Sequence, residues 1–284
     1  MTTSQNQKTN RRHKDTFFRT LFGDSKNFLE LYNAVANENL PDETEVTLYP
    51  SNELLAKFND LAASIEDRLI VFFEHQSSFS PNMPLRILSY VNDILYLHIV
   101  DKDKLYGKEQ VKIPTPKFFV IYNGEQKLNV QELKLSDAFI ARDSEPSMEM
   151  TVKIVDVNPG KGDIILSRSE KLKGYSHLIE EIRNNQRTGM TRDKAIATAI
   201  KSCLEKDILK DFLTKYYSEV LDMLNWEYDA DAHMRVLAQE ARQEGRKEGR
   251  QEGAVLLAKL LEDGMSLEDA LKQITERESD SPLQ

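Results

Sequence analysis

The chain holds a single cysteine among its 284 residues, which excludes an intrachain disulfide and fits a reducing cytoplasm. Cys203 reads as a small apolar residue buried in a helix. No apolar run approaches the ~20 residues that a membrane helix needs, and no signal-peptide pattern opens the chain. A soluble cytoplasmic protein without a membrane partner is expected. Neither a Cys/His cluster at zinc spacing nor a GxSxG, Walker or GxGxxG motif occurs, so the zinc, serine-hydrolase, nucleotide-hydrolase and dinucleotide classes find no support. An excess of positive charge is also missing. The net charge is −9, which argues against a broadly basic nucleic-acid surface, because phosphate neutralisation supplies most nonspecific DNA affinity. The distribution softens this objection: residues 151–215 carry 13 Lys and Arg against 9 Asp and Glu, and Lys8, Arg11, Arg12 and Lys14 form a basic N-terminal arm.

What is present is a pair of carboxylates on neighbouring strand-like segments. Asn59 to Ile65 and the apolar run Leu69-Ile70-Val71-Phe72-Phe73 are separated by Glu66-Asp67-Arg68, a break of hairpin length. If all three break residues form the loop, Asp60 stands opposite Glu74 with Cβ atoms roughly 5 Å apart. Two carboxylates so placed can grip one divalent cation. A two-residue loop would put them on opposite faces. Spacing alone leaves the alternative of two solvent-facing acids open.

The string Glu74-His75-Gln76-Ser77-Ser78, followed by Pro81-Asn82-Met83-Pro84-Leu85-Arg86 and Tyr90, resembles the Rpn family of recombination-promoting nucleases, also called YhgA-like transposases, of the PD-(D/E)XK superfamily. Asp15-Thr16-Phe17-Phe18, Asn59-Asp60-Leu61, Pro116-Lys117-Phe118, Tyr122-Asn123-Gly124 and Leu135-Ser136-Asp137-Ala138-Phe139 follow the family order. The resemblance spans about residues 13 to 260. It implies an α/β fold with a restriction-endonuclease-like core, a small mixed sheet flanked by helices, and a helical C-terminal region. It also implies a Mg2+-dependent (or other divalent-cation) DNA endonuclease of little sequence specificity, tied to recombination or mobile elements. Asp60 and Glu74 would hold the metal and Gln76 would position water, where the superfamily signature has Lys. Arg86 would hold a phosphate or brace Glu74. His75 alternates to the opposite face and reads as a packed core histidine rather than a metal ligand; Tyr90 reads as packing, with DNA contact the less favoured alternative, and Asp15 as a helix cap or an extra carboxylate. The rival class is a catalytically degenerate scaffold that binds DNA or protein.

The expected organisation is a disordered basic tail at residues 1–12, a nuclease domain at 13–215 and a helical region at 216–284. Helical spacing places a helix pair over residues 15–36 with a break near Gly23-Asp24-Ser25. A strand is expected at Glu45 to Tyr49, a helix from Pro84 to about Val100 with Leu85, Leu88, Ile94 and Leu95 inward, and strands at Phe118 to Tyr122 and Met150 to Val157. Helices then fill 170–183, 191–204, 206–217 and 218–228, with Thr191 a candidate cap. From Gln239 to Gly253 a Glu-Gly-Arg repeat of period four aligns Glu240, Glu244, Glu248 and Glu252 in one helical stripe and Arg242, Arg246 and Arg250 in another. Like charges four apart disfavour a lone helix. Pairing with a second copy, giving a homodimer, and a solvated linker are both open.

Overall fold

The apolar runs expected to be strands lie side by side in one sheet. The computed structural model describes residues 17–49, 61–97 and 102–225, with Leu256, Leu260, Met265, Ser266 and Asp269 beyond them. Asp15, Asp60, the N-terminal arm and the Glu-Gly-Arg repeat lie outside the described residues. By contact the chain divides into two units, residues 1–228 and 229–284. In the second, the Ser266 hydroxyl accepts from the Asp269 N–H at 3.2 Å and donates to its carboxylate at 2.6 Å, the pattern of a helix start.

In the first unit, α1 (Phe17–Phe22) and α2 (Ser25–Ala36) precede β1 (Val46–Leu48), β2 (Leu61–Ile65) and β3 (Leu69–Gln76). Asp24 caps α2 by accepting from the Asn27 N–H at 3.0 Å, and Asn37 ends it in the left-handed region at φ 59°. β2 and β3 pair antiparallel with Ile65 opposite Leu69 and Leu61 opposite Phe73. Glu66 and Asp67 turn the chain with φ of 51° and 50°, and the Arg68 N–H returns to the Ile65 carbonyl at 3.0 Å. All three residues therefore form the loop, the arrangement that keeps even-numbered positions of β2 and β3 on one face.

Helix α3 (Met83–Leu97) crosses over to β4 (Thr115–Tyr122), which runs parallel to β3 with Glu74 opposite Val120 and Gln76 opposite Tyr122. β5 (Glu132–Lys134) and β6 (Thr151–Asp156) complete a mixed sheet of order β1-β2-β3-β4-β6-β5, with β6 parallel to β4 and β5 antiparallel to β6. Three residues with one inward side chain, Leu133, are too short a run for alternation to mark, and β5 escapes sequence reading for that reason. The result is α/β with a six-stranded mixed sheet flanked by helices, consistent with a restriction-endonuclease-like core.

Two apolar layers follow from strand alternation. On one face Val71, Phe73, Phe119, Ile121 and Val155 pack against α1, α2 and the later helices. On the other, Ile70, Phe72, Phe118, Val120 and Val152 pack against Met83, Ile87, Tyr90, Val91 and Ile94 of α3. This corrects the expected face of α3: Leu85 is exposed, Leu88 and Leu95 are half-buried, and Ile87 and Val91 carry the contact. The buried stripe runs through Met83, Ile87, Tyr90, Val91 and Ile94, at spacings of three and four.

After β6 come α4 (Asp163–Leu166), α5 (Glu170–Arg187), α6 (Arg192–Glu205) and α7 (Lys210–Lys215), then helical residues 217–225. Ser169 caps α5 through the Leu172 N–H at 3.0 Å, whereas Thr191 takes the cap position of α6 without a side-chain hydrogen bond. Val220 and Leu224 are fully buried in the same core. No helix among the described residues is long and apolar enough to cross a membrane.

Gly174 of α5 marks the tightest approach of these helices. A Cβ there would lie 2.6 Å from Leu209 Cγ and 3.3 Å from Ile208 Cγ2, and Leu209 is itself held in the left-handed region at φ 49°, so it cannot readily retreat. Gly174→Ala should lower stability by about 1–3 kcal/mol, read as a lower urea midpoint at unchanged slope.

Candidate functional site

The site grows from the last three residues of β3. Glu74 and Gln76 share the face covered by α3, and His75 points to the other. Glu74 is buried, 3% exposed, among apolar neighbours, and an isolated carboxylate there would be costly. Two groups from one face of α3 answer it: the Tyr90 hydroxyl donates to Oε1 at 2.7 Å, and the Arg86 guanidinium stands 3.6 Å from Oε2. Arg86 and Tyr90 are four residues apart, hence neighbours on the helix.

Gln76 completes the cluster. Its amide is satisfied with the oxygen accepting from Arg86 Nη1 at 2.8 Å and the nitrogen donating to the Ser78 carbonyl at 3.1 Å. The opposite orientation sets amide and guanidinium donors together against the Met83 thioether, 2.9 and 3.3 Å away, and a thioether is a weak acceptor. Arg86, half exposed, thus forks between the two β3 side chains, and of its two expected roles the bracing of Glu74 is the one with a partner in place. Tyr90, expected to pack or, as the less favoured reading, to meet DNA, holds the carboxylate; its spacing of four from Arg86 was the available signal.

A hard divalent cation requires oxygen donors and net negative charge. The Glu74 carboxylate and Gln76 carbonyl suit it chemically, but Glu74 is the one carboxylate this cluster has among the described residues, and Arg86 offsets its charge. A second carboxylate is needed. Asp60 directly precedes Leu61, whose partner Phe73 directly precedes Glu74, and Ala62 of the same parity lies on the Glu74 face. Two cavities of about 920 and 670 Å3 are lined by neither Glu74 nor Gln76; a polymer backbone meets a surface rather than a closed cavity.

Behind the strand, His75 is the packed histidine expected. Its ring stacks on Phe18 with centroids 4.9 Å apart, and Nε2 lies 2.5 Å from the Tyr175 hydroxyl. Burial, with the nearby Arg183 charge, pushes its pKa down to about 4. The ring is therefore neutral, and because Asn123 Nδ2 donates to the Tyr175 oxygen at 2.6 Å, the tyrosine proton points to Nε2 and the imidazole proton belongs on Nδ1. Arg183 donates to the Asn123 carbonyl and, at 3.0 Å, to Asn158 Oδ1. Asn158 in turn binds Asp156 and the Gly124 carbonyl. This network ties together the C-terminal ends of β3, β4 and β6, and nothing in the linear spacing of its members marks it.

Compared with known families, the chain matches the model described as "Putative transposase, YhgA-like" over residues 12–210. No curated protein and no solved structure matches it significantly.

The depressed His75 pKa has a definite sign. Above pH 6.5 the ring is neutral folded or unfolded; as pH falls from 6.5 towards 4, the unfolded chain takes up a proton first, so stability is lost across that window. The loss should reach up to about 3 kcal/mol. His75→Asn, which cannot titrate, should show a flatter dependence of its urea midpoint between pH 7 and pH 4.5 than the parent protein.

Proposed function

The chain belongs to the YhgA-like putative transposase family, and from that premise we propose that it is a divalent-cation-dependent DNA endonuclease of the PD-(D/E)XK type, acting in recombination or mobile-element movement. The observation that carries this is the buried Glu74 carboxylate at the C-terminal end of the central strand, held by Tyr90 and Arg86. Ligand and substrate sites in open sheets favour the carboxyl ends of parallel strands.

In this reading Asp60 and Glu74 hold a Mg2+ ion, with Asp60 supplying the second negative charge. When bound, the ion polarises a phosphodiester oxygen and lowers the pKa of its water. Tyr90 fixes one Glu74 oxygen and leaves the other to turn towards a cation. Gln76 orients the attacking water through its amide, which can donate and accept but carries no charge. The missing charge of the superfamily Lys is supplied by Arg86, whose guanidinium already rests on the Gln76 oxygen at 2.8 Å and whose half-exposed end can meet a phosphate. The basic balance of residues 151–215 offsets part of the repulsion between an acidic chain and DNA. A cation-free DNA- or protein-binding scaffold is the alternative.

A plasmid-nicking assay tests both. Mg2+ should support slow, sequence-tolerant nicking that EDTA removes. Asp60→Ala and Glu74→Ala should each lower it at least about 100-fold, at unchanged thermal midpoint for the former. Arg86→Ala should lower activity about 10-fold or more, with partial recovery in Arg86→Ala/Gln76→Lys. Nicking that survives EDTA and Asp60→Ala would sink the metal assignment, and DNA binding without cleavage in every variant would establish the scaffold.

The Glu-Gly-Arg repeat is, in the same proposal, a self-association element separate from the nuclease unit. Light scattering should show a dimer at low salt that high salt weakens, and a monomer on truncation after Tyr228. A full-length monomer at low salt overturns this.

A further inference from the structure

Away from β3, three donor atoms of different chemistry converge where the helices α5 and α6 pack. His177 and Glu181 are one turn apart on α5 and Cys203 faces them from α6; each of the three offers one ligand atom within 4.8 Å of the others. Nε2 and Oε2 are only 3.1 Å apart, yet each of these atoms is buried and without a hydrogen-bond partner. The distance suits a hydrogen bond, so it is the alignment that fails. Two ligand atoms 3.1 Å apart, buried and out of hydrogen-bond alignment, are spaced as they would be around a third atom.

We propose that His177, Glu181 and Cys203 form a binding site for one divalent cation of the zinc class, clamping α5 to α6. With zinc–nitrogen and zinc–oxygen bonds of about 2.0–2.1 Å, neighbouring ligands of a tetrahedral site stand about 3.3 Å apart, close to the separation observed. The sulfur, within 4.8 Å of both, needs a shift of at most about 1.2 Å to join them, given its bond of about 2.3 Å. A mixed nitrogen, oxygen and sulfur set selects zinc or cobalt over magnesium and calcium, so this site and the all-oxygen cluster at Glu74 would not compete for one ion. The second Glu181 oxygen faces the Lys206 ammonium at 3.6 Å, which orients the carboxylate and leaves Oε2 for the metal. His177 is half exposed and borders the cavity of about 920 Å3 with Gly174 and Lys206, which is the side from which a cation would enter. Without a cation, burial and Glu181 push the thiol up to about 12; coordination as thiolate therefore releases its proton to solvent. The bland account is a helical His–Glu ion pair beside a buried thiol.

Full-length protein, stripped with chelator and returned to buffer with excess Mg2+, is titrated with Co2+ and then Zn2+. The chain has one cysteine, so a sulfur-to-cobalt charge-transfer band can come from Cys203 alone. One cobalt per chain should produce that band with the intense visible absorption of a four-coordinate site, and one zinc should abolish both. His177→Gln, at a half-exposed position, should weaken zinc binding more than about 10-fold, and Cys203→Ser should remove the band. Glu74→Ala should leave all of this intact, which separates the outcome from the nuclease proposal. Folded protein that gives no charge-transfer band, or a zinc affinity indifferent to His177→Gln, would overturn the site and establish the ion pair, even if Cys203→Ser does not fold.

Discussion

An ionised carboxylate taken out of water costs several kcal/mol unless donors and charges replace the lost solvation, and Glu74 imposes that requirement on everything around it. The strand must end where the carboxylate can be reached, and helix α3 must present Arg86 and Tyr90 on one face. The apolar stripe of Met83, Ile87 and Ile94 seats that face. Removing either polar partner would leave the charge in an apolar layer, so packing and polarity depend on the same crossing.

The opposite face of β3 is built on a different rule. His75 lies between the two site residues in sequence, and alternation sends it into an aromatic layer with Phe18 and Tyr175, where a neutral ring is the only comfortable form. From there hydrogen bonds pass through Asn123, Arg183 and Asn158 to the ends of β4 and β6. A charged cluster on one side is thus backed by a neutral histidine and its hydrogen-bond network on the other. Positional precision at a site comes from such support.

Much of this was legible in the sequence wherever one period dominated. The run from Leu69 to Phe73, its polar break and the block from Phe118 to Tyr122 announced a sheet, and the three-residue loop set the register that brings Leu61 opposite Phe73. The parity of His75 against Glu74 and Gln76 followed from the same period. What stayed hidden depends on residues distant in sequence: β5 has one inward side chain, Tyr90 looks like any aromatic on a helix stripe until Glu74 is brought beneath it, and Tyr175 is 100 residues from His75. The convergence of His177 and Glu181 with Cys203 is of the same kind, since no spacing rule spans a helix pair.

The mixed pairing of β3 also divides the cost of building the sheet unequally. On one edge it closes on β2 across three residues, a contact that a short stretch of chain makes by itself. On the other, Glu74 lies beside Val120, and gathering a segment of 46 residues rather than a few adds about 2 kcal/mol of loop-closure entropy. Helix α3 occupies that segment, so Arg86 and Tyr90 reach Glu74 through the same closure that aligns β4. The polar cluster and the parallel half of the sheet therefore stand or fall as one cooperative unit, while the hairpin beside them is the locally encoded part.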